Sequence, residues 1–421
     1  MMQMHTIGLG ITVLVSLGVA CLPGKGSTES STDTSSSGSG GVCGDGVLDP
    51  NESCDDANSD DGDGCNASCQ SEFSFRWCEF DIDGSDDGSA SSSVHDLDVG
   101  PGGEIAVITR VGYFGEGVVH KFNGDAQFEW VRKQDAVEGP TSIAFRADGS
   151  LAVSGTLTLW SGDVGTPGAY VTLLSVEGDS LEWRLLGDGS AGRIAIHPEG
   201  VVTAFVPYSN SSNVRWFDGS LEVGSMVSTQ LRSPAALAVD GTGRTFLALN
   251  GHSDEGTQSI RYSEIIAFSA DATQLWSLPI EEQGQDREVR DLAIGPAGLV
   301  VGVQETPPSR VSVDLDSGQL LATVSLEASG ITSLSRLRPI SDEPSTDYLL
   351  AGYRVEEGDV WRGTLARMGK SGTLVWTTPV PTGELSTGSM IGPAKSEFDD
   401  TFVIAGRLGP DRELWICKFT P

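Results

Sequence analysis

Asp56, Asn58, Asp60 and Asp63 stand close together in a glycine-rich stretch, and hard oxygen donors at that spacing are what a calcium ion takes. The run begins like an Asp-x-Asn-x-Asp loop. Asp61, however, stands where a calcium loop of the EF-hand type needs Gly, and no Glu follows at the twelfth position, so a solvated acidic turn is the competing reading. Cys43, Cys54, Cys65 and Cys69 enclose this stretch, which has hardly an apolar side chain and so cannot be held by a hydrophobic core. Four cysteines in an oxidising compartment most simply make two disulfides, with three pairings open. Zinc is the rival explanation, but no Cys-x-x-Cys pair occurs.

Catalytic signatures are thin. His5, His95, His120, His197 and His252 lack the spacing of metal ligands. Residues Gly187-Asp188-Gly189-Ser190-Ala191-Gly192 fit the phosphate-binding pattern G-x-G-x-x-G, yet a strand rather than a helix is expected after them and Asp188 would repel phosphate. There is no Gly-x-Ser-x-Gly elbow, Walker loop or His-Glu-x-x-His helix, which argues against serine hydrolases, P-loop enzymes and zinc peptidases. The 421 residues carry 59 acidic and 26 basic side chains, a formal charge of -33. Such a surface repels nucleic acid and anionic membranes and favours solubility and cation association. No nucleic acid partner is expected, and no cofactor beyond calcium.

An apolar stretch, Ile7 to Ala20, is too short to span a bilayer and sits where a signal peptide belongs. The run Leu17-Gly18-Val19-Ala20-Cys21 resembles a bacterial lipobox, which implies that Cys21 becomes the lipidated first residue of the mature protein; ordinary cleavage or a free Cys21 are the alternatives. Residues 22–41, rich in Ser, Thr and Gly, read as a flexible tether. Next come Cys43-Gly44-Asp45-Gly46, Glu52-Ser53-Cys54-Asp55-Asp56, Gly62-Asp63-Gly64-Cys65 and Cys69-Gln70. Together they resemble the cysteine-rich repeat common in secreted proteins of myxobacteria and their relatives. Over residues 42–72 that resemblance implies an extracellular disulfide module without a defined activity.

All of these groups must be carried on a frame, and the rest of the chain supplies one by repetition. Seven times a pair of alternating residues, both apolar in five copies and Ser followed by an apolar residue in the last two, precedes a Pro or Asp-Gly turn and a second apolar run. The pairs are Leu97-x-Val99, Ile143-x-Phe145, Ile194-x-Ile196, Leu237-x-Val239, Leu292-x-Ile294, Ser335-x-Leu337 and Ser389-x-Ile391. Their second members lie 46, 51, 43, 55, 43 and 54 residues apart, the length of a propeller blade of four short strands. With 54 Gly and short apolar runs, the expected fold is all-β: a seven-bladed β-propeller over 73–421, preceded by the small disulfide-rich module, with little helix.

Trp130, Trp183, Trp276 and Trp376 recur at equivalent places on outer strands and read as packing residues between blades. The seventh repeat runs out after three strands. Phe75 to Phe80 resembles Phe128 to Val131 and is expected to supply the fourth, closing the ring with strands from both ends of the chain and removing an exposed edge. Cys78 and Cys417, the two cysteines left over, are then expected to pair across the closure. The register copied from the first repeat does not set them opposite each other, so a bulge or slip is required.

Trp-ended strands after Gly or Asp turns, as in Gly372-Thr373-Leu374-Val375-Trp376, resemble those of quinoprotein-type propellers, which supports the architecture alone. The loops of one face, 81–87, 110–116, 250–261, 281–290 and 353–359, mix acids with Arg and Tyr. The expectation is an exported, lipid-anchored, monomeric propeller of the cell envelope, at the outer membrane or cell surface, that binds an envelope or extracellular protein or a glycan and touches the membrane only through its lipid. The alternative is a propeller enzyme of lyase, hydrolase or quinoprotein type, using acidic residues near the central channel.

Overall fold

The computed structural model describes residues 43–44, 68–69, 74–79, 93–111, 116–133, 139–161, 164–207, 212–229, 233–255, 258–280, 287–341, 343, 346–356, 360–380, 390–396, 398–408 and 413–420. All belong to one compact unit that spans 41–421. Cys21, Cys54, Cys65 and the calcium candidates Asp56, Asn58, Asp60 and Asp63 lie outside the described residues.

The chain is a seven-bladed β-propeller. Strand β1 (Ser74–Glu79) precedes the first blade, formed by β2 (Ser93–Val99), β3 (Ile105–Val111), β4 (Glu116–Phe122) and β5 (Phe128–Lys133). Blades 2 and 3 share β9: β6 (Pro140–Phe145), β7 (Leu151–Ser161), β8 (Val164–Leu174) and β9 (Ser180–His197) continue into β10 (Gly200–Pro207), β11 (Ser212–Asp218) and β12 (Val223–Thr229). Blade 4 is β13 (Ser233–Val239), β14 (Thr245–Glu255), β15 (Gln258–Phe268) and β16 (Gln274–Ile280). Blade 5 is β17 (Glu288–Gly295), β18 (Gly298–Gln304), β19 (Ser309–Val313) and β20 (Leu320–Ser325). Blade 6 is β21 (Ser333–Pro339), β22 (Tyr348–Glu356), β23 (Val360–Met368) and β24 (Leu374–Pro379). Blade 7 takes β25 (Met390–Lys395), β26 (Phe402–Leu408) and β27 (Glu413–Thr420) and is completed by β1. A short 3-10 turn, Glu327–Ser329, is the one helical element among the described residues.

Each second strand is a continuous apolar run because neighbouring blades cover both of its faces. Ile105-Ala106-Val107-Ile108 and Phe402-Val403-Ile404-Ala405 have no exposed surface. Outer strands such as β12 and β20 meet solvent and mix Ser and Thr with exposed apolar side chains, among them Val223, Met226, Leu320 and Leu321. The buried apolar side chains accordingly fall into seven clusters, one in each joint between adjacent blades. The turns between third and fourth strands repeat one design. Asn123, Ser175, Asp218 and Asp314 accept backbone N–H groups two to four residues ahead at 2.8–3.2 Å, and the left-handed residues are Ala126, Gly178, Leu221 and Gly318. Asp218 and Asp314 thus serve as turn formers.

The Gly187-Asp188-Gly189 run is a corner within a strand. Gly187 and Gly189 take φ of 126° and 140°, and there β9 passes from the outer edge of blade 2 to the inner edge of blade 3 without a loop. In blade 6 the repeated phrase is out of phase: Leu337 pairs with Leu350 as Leu97 pairs with Val107, and Pro339 holds the place of Val99. In blade 7 the same pairing slips past Gly392 and Pro393, so Lys395 rather than Ile391 stands opposite the first residue of the second strand.

The closing strand pairs antiparallel to β27, and the ladder skips Arg76, which brings Cys78 directly opposite Cys417. The two are disulfide-bonded with Cα atoms 4.2 Å apart. A second disulfide joins Cys43 to Cys69 and packs on the joint between blades 6 and 7, against the cluster of Trp376 and Trp415.

Trp130 and Trp276 sit between blades in one way. Each indole N–H donates to a carbonyl of the next blade's turn, Val176 at 2.7 Å and Leu315 at 3.0 Å, with Gly178 and Gly318 lying on the ring. Trp376 is buried in the cluster between blades 6 and 7. Trp183 departs from the pattern: 47% exposed, it stacks on Tyr170 of its own blade.

Candidate functional site

The inner strands β2, β6, β9, β13, β17 and β21 each skip one residue in their pairing: His95, Thr141, Gly192, Ala235, Arg290 and Ser335. That bulge sets which side chains line the central channel. The residue after each bulge is Asp96, Ser142, Arg193, Ala236, Asp291 and Arg336 in turn; two positions on stand Asp98, Ala144, Ala195, Ala238, Ala293 and Arg338. Small side chains, among them Ala144, Ala195 and Ala236, leave the axis hollow, and a cavity of about 580 Å³ runs there. Its lining holds four guanidiniums, from Arg193, Arg290, Arg336 and Arg338, against three carboxyls, from Asp96, Asp98 and Asp291.

Two of those carboxyls tie the ring together. Asp96 reaches from blade 1 to blade 2, accepting from Ser142 Oγ at 2.7 Å and Ile143 N–H at 3.0 Å, and meets the Arg336 guanidinium from across blade 7. Arg336 Nη1 also donates to Leu97 O at 2.9 Å. Asp291 repeats the device between blades 5 and 6, taking the Leu337 N–H at 2.9 Å and the Arg338 guanidinium. Burial pushes Asp96 up, but Arg336, Arg193 and the two donors outweigh it, and the carboxyl is held below its usual range.

Arg193 and Asp98 are different. Arg193 has one bond, from Nε to Ala235 O at 2.7 Å, and no carboxylate within ion-pair distance among the described residues. Burial pulls its pKa down, against the pull of Asp96, yet a guanidinium stays charged. Asp98 accepts the Phe145 N–H at 2.7 Å, has no ion pair among the described residues, and is pushed up to about 6, chiefly by burial. Both keep part of their surface open to the cavity although protein surrounds them.

Of the polar residues singled out in the face loops, Arg290 and Tyr353 are at the cavity; Arg290 pairs with Glu288 at 2.9 Å. His95, beside the cavity strands, bonds Ser93 Oγ at 2.8 Å and is lowered to about 4 by burial and Arg110. His120 bonds Thr109 at 2.9 Å and His197 bonds Gly243 O at 3.0 Å, both inside the sheet frame. No group of His, Cys, Asp and Glu suited to a metal ion occurs among the described residues. The channel charges escaped the sequence reading because they stand at the unread positions of the repeat. For Asp98 and Arg338 the signal was a charge where the other four copies have Ala; for Asp96, Arg193, Asp291 and Arg336 it was a charge at the same place in four of six copies.

No family model matches the chain, so the cysteine-rich-repeat and quinoprotein resemblances rest on the motifs alone. No curated protein matches either. Among solved structures, the chain is similar to one described as BBS1N in complex with ARL6DN, at TM-score 0.53 and 9% identity over 83% of this chain and 97% of that one. It is also similar to a chain of the Mitotic Checkpoint Complex, at TM-score 0.56 and 14% identity over 89% and 99%. At such identities the likeness is one of fold.

Proposed function

We propose that this chain is a non-catalytic binding propeller of the cell envelope, exported by its N-terminal segment, anchored through lipidated Cys21, lifted by the 22–41 tether and acting as a monomer on a protein partner. The observation that carries the reading is the employment of the channel carboxyls: Asp96 and Asp291 are spent on neighbouring backbone N–H groups and guanidiniums, which leaves no free carboxyl pair for acid–base work among the described residues of the cavity. The protein assemblies in which the two structural neighbours occur agree with a scaffold role. Asp98, the unpaired carboxyl near neutrality, is what the enzymatic alternative would use.

The test is capture from envelope extract with the full chain as bait, beside a panel of glycoside and ester substrates. A specific captured partner with no turnover is expected. Turnover that Asp98→Asn abolishes overturns the reading. Metabolic labelling with a fatty acid, lost in Cys21→Ser, checks the anchor.

A further inference from the structure

From the central cavity we infer a binding site for a small hydroxylated carboxylate, a hexuronic acid either free or as the end of an acidic glycan, held by Arg193. The inference goes beyond the protein-binding reading above and adds a small-molecule site to it. Three observations converge. Arg193 is enclosed by protein, bonded only through Nε, and leaves its two terminal Nη groups without a partner among the described residues. Those parallel donors match the two oxygens of one carboxylate. Around them the charge is close to balance instead of strongly negative: a chain of formal charge -33 places four guanidiniums against three carboxyls in this cavity, with Arg290 also paired to Glu288. A monoanion entering there gains more from Arg193 than it loses to Asp96 and Asp291, because these two are already neutralised by Arg336 and Arg338.

Size and the remaining group narrow the class. About 580 Å³ holds a single pyranose with some water. Phe145 and Tyr353 are the aromatic residues of the lining, and Asp98 supplies one polar group that can accept from or donate to a sugar hydroxyl. A dicarboxylate would set its second charge against Asp98 and is disfavoured.

Calorimetric titration of the full chain with sodium glucuronate and galacturonate, with glucose as the neutral isostere, tests this. The uronates are expected to bind at least tenfold more tightly than glucose and to be displaced by acetate. Arg193→Gln is expected to weaken them tenfold or more. Should that variant fail to melt cooperatively, Arg193→Lys and the acetate competition on the unaltered chain read the same requirement. An oligogalacturonate arm separates the sources: binding of the monosaccharide assigns a free sugar, and binding of the oligosaccharide alone assigns a chain end. Equal or absent heats for uronates and glucose, or unchanged uronate binding in Arg193→Gln, overturn the inference. If a protein partner is still captured in that case, only this inference falls.

Discussion

At the scale of single residues, β2 carries two titrating groups that act on stability in opposite directions. Asp98 is raised to about 6 by burial, so the native chain keeps a proton that the unfolded chain, with a carboxyl near 4, has lost. Its contribution is complete below about pH 4 and is lost as pH rises through about 6. His95 is lowered to about 4 by burial and Arg110, so its contribution is complete above about pH 6.5 and is lost as pH falls toward 4. Asp98→Asn should therefore gain on the unaltered chain by roughly 2 kcal/mol between pH 4 and 6, and His95→Gln should gain as pH falls from 6.5 to 4. Melting temperatures at half-unit steps give both, and parallel curves for Asp98→Asn and the unaltered chain would refute the first. A second prediction concerns Gly178, whose φ is 89° and whose added Cβ would stand 2.8 Å from Trp130. Gly178→Ala should cost about 1–3 kcal/mol in thermal unfolding, more than the same change at an open glycine such as Gly241.

At the scale of elements, the decisive unit is the closing strand. The Cys78–Cys417 bridge spans 339 residues of sequence, so it restrains a very long loop in the unfolded chain. Replacing both cysteines by Ser is expected to lower stability by about 6 kcal/mol in the loop-entropy account, read by denaturant unfolding. An unchanged midpoint would mean that β1 pairing alone holds the ring. The phrase Leu-x-Val before a turn disclosed the inner strands because an apolar pair at period two, cut by Pro or Asp-Gly, has few other readings. What it left unread is the bulge. One skipped residue at His95, Arg290 or Ser335 decides whether a neighbour faces a joint or the axis, and no residue type marks the skip. The same blindness put Leu337 and Ile391 out of phase. In β9 the corner at Gly187 and Gly189 carries one strand from blade 2 into blade 3.

At the scale of the whole molecule, the ring has seven apolar joints and no central core, so each blade is supported by its two neighbours and every joint is needed. A chain beginning at residue 90 lacks β1 and leaves β27 as an open edge; it is expected to form oligomers on size-exclusion chromatography, whereas one beginning at residue 41 should elute in proportion to its mass. Equal behaviour of the two would show that the edge is harmless. By itself the sequence determined the number of blades, the turn chemistry and the strand that closes the ring, because these follow from local patterns repeated along the chain. Only the tertiary structure decided that Asp96, Arg193, Asp291 and Arg336, scattered over about 240 residues, meet at one axis. That meeting depends on the bulge in each inner strand and on ring closure, and both are set by packing between blades rather than by any one of them.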